Sequence, residues 1–169
     1  MQQLHVARGA IDFLAKFTSS EQFEKTFKEG MALVEQTANY LDGEGRLNSR
    51  ILDRTGAIAY ATESMRLTTR LMQMASWLLL QRAIAAGELS PSDMNREKHR
   101  INLAEIGRGN VLKGAEFLPA GLITLVEQSL RLLERIRKLD IMLVPNNDCE
   151  ALSPVAAQMD LLNRAYSVG

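Results

Sequence analysis

One stretch limits the possible folds more than any other. From a start between Leu47 and Thr55 up to Ala86, apolar residues recur at helical spacing and no proline interrupts them. They fall into two adjoining stripes. One runs Ile58, Ala61, Met65, Thr68, Met72, Ala75 and Leu79; the other runs Tyr60, Leu67, Leu71, Met74 and Leu78. Together they cover roughly 200° of the helical wheel, about twice the arc used against a single neighbour. Such a helix must touch at least two others, and the small Ala61 and Ala75 allow a close approach. Periodicity does not decide which stripe faces inward. Any uncovered remainder would exceed the patch a soluble monomer exposes, which predicts a homodimer through this helix.

Two further long helices are predicted to pack on it. Ser19 or Ser20 offers an N-cap, Glu21 stands in the first turn, and Phe23, Phe27, Met31, Val34, Ala38 and Leu41 form one face. Gly43 reads as the left-handed stop of that helix, with Glu44-Gly45 as a polar turn. Ser90-Pro91 restarts a helix, with Asp93 in a capping-box-like place. The charged, glycine-containing stretch from Asp93 to Lys113 reads as a mobile connection with partial helix. Pro119 opens the last strong element, whose seam runs Leu122, Leu125 or Val126, Ser129, Leu132 or Leu133, Ile136 and Leu139. Glu127–Arg131 and Glu134–Lys138 add i,i+4 pairs on its outside. With a short N-terminal helix from about Leu4 to Lys16, the expectation is an all-α three-helix bundle over residues 1–143. Residues 144–169 are expected to form a disordered tail.

Length and charge narrow the function classes. The 169 residues suit one domain, and 20 basic residues balance 20 acidic ones. A neutral chain is a poor candidate for a dedicated nucleic-acid binder, which usually carries a basic excess. Cys149 is the single cysteine, so no intramolecular disulfide forms, and a reducing compartment is the simple reading. The N-terminus makes a poor signal peptide. The longest uncharged apolar run, Leu71 to Gln81, falls well short of the ~20 residues that span a bilayer. A soluble, cytoplasmic protein is expected.

Little in the sequence speaks for catalysis. His5 and His99 lie on different elements, outside the spacing a bundle metal site needs. Asp148 and Glu150 flank Cys149 and disfavour its thiolate. Gly107-Arg108-Gly109-Asn110 lacks the ending and the preceding strand of a phosphate loop. No enzyme activity and no cofactor are expected.

Binding surface is the alternative. Glu63, Arg66, Arg70, Gln73, Trp77 and Gln81 line the polar face of the long helix, and Trp77, the only tryptophan, is out of place there. Exposed Trp and Arg are enriched at binding hot spots. Alternatively, Trp77 lies under the 93–117 connection or the N-terminal helix. A second candidate is in the tail, where Val155, Met159, Leu162 and Tyr166 are spaced for one helix face that folds onto a partner.

Two stretches, Glu29 to Arg46 and Ala59 to Arg82, together with Glu97-Lys98-His99-Arg100 and Leu118-Pro119, resemble the RcdA family of alphaproteobacteria, the regulators of CtrA degradation. The resemblance covers roughly residues 20–143. It implies a homodimeric three-helix bundle without enzymatic activity. It further implies an adaptor that helps the ClpXP protease degrade cell-cycle transcription regulators such as CtrA, with a CpdR-like response regulator and sometimes PopA. No residue role is carried over from it. The reading from another class is a nucleic-acid-binding or transcription-associated helical protein using Arg66, Arg70, Arg82 and the basic connection; the neutral total and the lack of a helix-turn-helix turn weigh against it.

Overall fold

The computed structural model describes residue 16, residues 20–103 and residues 109–143. The expected N-terminal helix lies outside them except for Lys16, which is helical. The whole 144–169 segment lies outside too, with Met159, Leu162 and Tyr166. Among the described residues there are helices and no strand: α1 (Glu21–Asp42), α2 (Glu44–Arg50), α3 (Arg54–Ala85), α4 (Pro91–Arg100), a 3-10 turn (Ala115–Phe117) and α5 (Ala120–Leu143). The protein is an all-α bundle. α1, α3 and α5 pack on one another, α2 sits against α1 and α3, and α4 and the 3-10 turn rest on α3.

Each start has a local cause. Ser20 Oγ accepts from the Phe23 amide at 3.2 Å, and Asp53 Oδ1 accepts from the Gly56 amide at 2.7 Å. At α4, Ser90 Oγ accepts from the Asp93 amide at 3.2 Å, and Pro91 fills the first turn, where its missing N–H costs nothing.

The structure resolves the stripe ambiguity of the long helix. Tyr60, Leu67, Leu71, Met74 and Leu78 are buried, while Ile58, Met65, Met72 and Leu79 are exposed. The inward stripe meets Leu122, Leu132, Leu133 and Ile136 of α5 and Phe23 and Leu33 of α1 in one core. Each fully buried large side chain contributes about 1.5–3 kcal/mol relative to exposure. Gly30, in the interior of α1, marks a close crossing: a Cβ there would stand 2.7 Å from Leu78 Cδ1 and 3.7 Å from Leu132 Cδ2. Across the bundle, Arg135 of α5 pairs with Glu29 of α1, and the Arg82 guanidinium lies 4.9 Å from the Phe27 ring centre.

The end of α1 differs from expectation. Gly43 has φ −107° and ψ −109°, outside the left-handed region, and residues 44–50 form helix α2 instead of a turn. Packing gives the reason. A Cβ on Gly45 would lie 2.6 Å from Tyr40 Cε1, 2.6 Å from Tyr60 Oη and 2.8 Å from the Tyr40 carbonyl. That glycine serves a close approach to two tyrosines, not a reversal of the chain.

Candidate functional site

The face expected to be solvated turns inward. Arg70 is 1% exposed and Trp77 2% exposed, and Gln81 is buried beside them. The polar groups of Arg70 and Trp77 meet partners on α5, too far away in sequence to be visible locally. Arg70 Nη1 donates to Ser129 Oγ at 2.7 Å, and Ser129 in turn donates to the Val126 carbonyl at 2.7 Å. Trp77 Nε1 donates to Asp140 Oδ1 at 2.7 Å. The exposed placement of Arg70 and Trp77 is therefore corrected: both are held in the bundle, Trp77 by its bond to α5. The cue was Ser129, a hydroxyl in an otherwise apolar seam, which signals a buried donor opposite.

Arg66 and Gln73 also work within the fold. Arg66 Nη1 reaches the Asn110 carbonyl at 3.1 Å and Glu63 Oε2 at 3.5 Å, while Gln73 Oε1 accepts from the Asn102 amide at 3.2 Å. Arg137 adds a clamp from α5, its Nε donating to the Leu103 carbonyl at 2.8 Å. Glu63 stays at the surface edge and lines a shallow groove with Leu118, Ile123 and Val126. These bonds explain why the stretch after α4 lies against α3. Of the three α3 arginines in the nucleic-acid reading, Arg70 is buried, Arg66 is half-buried and bonded to a carbonyl and a carboxylate, and Arg82 is exposed beside Phe27.

Sequence reasoning did not single out the outward stripe as a binding surface. Ile58, Met65, Met72 and Leu79 recur every seven residues and are 59%, 72%, 65% and 53% exposed. The other exposed residues of α3 between Ala57 and Gln81 are Ala61, Thr68, Thr69 and Ser76. None of the eight carries a charge. Large side chains at every seventh place, with small ones three or four residues on, make the seam that a second helix enters. Unbranched methionine adapts to whatever shape lies opposite.

Among the described residues, no group of three His, Cys, Asp or Glu side chains converges on a metal-sized space. Nor is any helix there long and apolar enough to cross a membrane.

Comparison with known proteins now decides the kinship. Residues 14–166 match the family described as protein of unknown function DUF1465. The crystal structure of RcdA from Caulobacter crescentus CB15 is similar at 50% sequence identity and a TM-score of 0.60, over 76% of this chain and 96% of that one. The chain belongs to the RcdA-like DUF1465 family. No curated protein matches it. The stretches that carry the resemblance lie mainly on α1 and α3, two of the three long helices of the bundle.

Proposed function

We propose that the protein is a non-enzymatic adaptor of the RcdA kind, working in the cytoplasm to help ClpXP degrade cell-cycle transcription regulators such as CtrA, together with a CpdR-like response regulator. The observation that carries this reading is the uncharged outer ridge of α3. A rigid bundle with buried polar groups and one long adaptable apolar face is built to hold other helices. Kinship to RcdA at 50% identity supports the choice of partners.

In this reading the ridge pairs with the same ridge of a second copy, giving a homodimer about a two-fold axis. The spacing of Ile58, Met65, Met72 and Leu79 supports pairing of the two long helices along this ridge, with Ala61 and Thr68 as its small residues. Domain 1–143 is the holder and 144–169 the tether, whose Met159, Leu162 and Tyr166 engage a partner. Glu63 and Arg66 stand at the surface edge as further contacts. Arg70 and Trp77 act only by fixing how α3 and α5 sit.

Two experiments test the proposal. Sedimentation of the wild-type chain at micromolar concentration gives a dimer, and Met65→Glu with Met72→Glu gives a folded monomer. In cells, Leu162→Asp slows CtrA turnover without changing the stability of the bundle. A wild-type monomer contradicts the pairing; unchanged turnover contradicts the tether.

A further inference from the structure

The groove between α3 and α5 joins two kinds of chemistry. Leu118, Ile123, Val126 and Leu130 wall an open space of about 250 Å³. Glu63 of α3 and Glu127 of α5 complete it, so each helix contributes one carboxylate, and among the described residues the lining holds no cation. Glu116, next to the lining residue Ala115 in the 3-10 turn, is a further exposed acid. An apolar trough with acidic sides repels nucleic acid and anionic lipid headgroups. It suits a cation carried on an aliphatic body.

Glu63 is poorly satisfied where it stands. Its side chain is 14% exposed, and its partner among the described residues is Arg66 Nη1 at 3.5 Å. The same nitrogen makes a shorter bond, 3.1 Å, to the Asn110 carbonyl. Glu63 therefore takes the weaker share of one donor, although a carboxylate has room for several. Glu127 is 51% exposed and pairs with Arg131 at 3.7 Å, a surface contact worth little. Both acids can turn to a better donor at small cost. The groove is also separate from the outer ridge of α3. Glu63 follows Ile58 by five residues, which places it about 140° around the helix, so both faces can be occupied together.

We infer that this groove docks a peptide segment of a partner protein in which branched aliphatic side chains stand beside arginine or lysine. An aliphatic side chain seats among Leu118, Ile123 and Val126. The neighbouring cation donates to Glu63, and Glu127 holds a second. Apolar walls supply contact area, while the two carboxylates select the sign of the charge and fix the register. The inference goes beyond the adaptor reading: it assigns the chemistry of the contact at Glu63, and it holds whichever protein carries the segment.

The test titrates the full chain with two blocked tetrapeptides, acetyl-Arg-Leu-Ile-Arg-amide and acetyl-Glu-Leu-Ile-Glu-amide, and follows the methyl resonances of Ile123, Val126 and Leu130. The arginine peptide is expected to shift these methyls saturably and to bind about tenfold more tightly than the glutamate peptide. Glu63→Gln keeps the shape of the side chain and weakens the arginine peptide by about tenfold. Glu127→Gln weakens it by about twofold. Ile123→Ser, at a position 41% exposed, removes most of the binding at an unchanged melting temperature. Equal binding of the two peptides, or an affinity that Glu63→Gln leaves unchanged, overturns the inference. Shifts confined to the Met65 and Met72 methyls place the peptide on the ridge and overturn it too. Groove methyls that shift when the chain alone is diluted mean that a second copy covers the groove, which contradicts a foreign peptide. The peptides contain no adaptor partner, so failure here strikes the groove and not the adaptor role.

Discussion

Arg70 of α3 and Ser129 of α5 meet at 2.7 Å in the middle of the bundle, with the arginine 1% exposed and the serine wholly buried. The pair fixes the register of two helices whose contacts are otherwise mostly aliphatic. Ser129→Ala removes one acceptor of the buried guanidinium and costs about 1–3 kcal/mol. Arg70→Met removes the charge along with its demands and costs less than Arg70→Ala, which opens a cavity worth ~2–5 kcal/mol. Urea unfolding at unchanged slope measures all three.

Trp77 separates a structural role from a binding role. Because its ring is buried and its N–H is held by Asp140, Trp77→Ala lowers stability by about 3–5 kcal/mol. Trp77→Phe keeps much of the packing and loses mainly the hydrogen bond, ~0.5–1.5 kcal/mol. Thermal unfolding followed by circular dichroism distinguishes the two substitutions.

Tyr60 makes the bundle sensitive to alkali. Burial raises its phenol above the ordinary value of 10.0, with the neighbouring Tyr40 acting in the same direction. The folded state therefore holds the proton more tightly than the unfolded chain does. This contribution is fully present below about pH 10 and is lost as pH rises from there through the folded value. Tyr60→Phe flattens that alkaline decline. Guanidinium unfolding between neutral pH and about pH 11 compares the two slopes.

Gly45 tests the reading of α2 as a packed helix. Gly45→Ala drives a methyl group into Tyr40 and Tyr60, and overpacking of this kind costs roughly 1–3 kcal/mol. If residues 44–50 were a free polar turn, the same change would be neutral. Calorimetry decides between these outcomes.

The three long helices, the caps of α1 at Ser20 and of the short α4 at Ser90, and the Pro119 start were legible because each depends on neighbours within a turn or two. The orientation of α3 was not. Its two apolar stripes are nearly equal in weight, and the choice between them is made by residues 59 and 63 positions away, Ser129 and Asp140, which satisfy Arg70 and Trp77. Residue type alone assigns an arginine and a glutamine to water; a hydroxyl or carboxylate on another helix reverses that for an arginine. α2 was hidden for a related reason, since Gly45 inside a short helix reads as a turn until the tyrosine rings against it are seen. The outward ridge became visible once the inward stripe was known.

Adaptor function is the central claim, and reconstituted degradation tests it most directly. ClpXP, a CpdR-like response regulator, ATP and CtrA are combined with and without the full chain, and CtrA loss is followed over time. Faster CtrA loss is predicted when the wild-type chain is added, and a weaker gain with Leu162→Asp. An identical rate of CtrA loss with and without the chain would contradict the adaptor role.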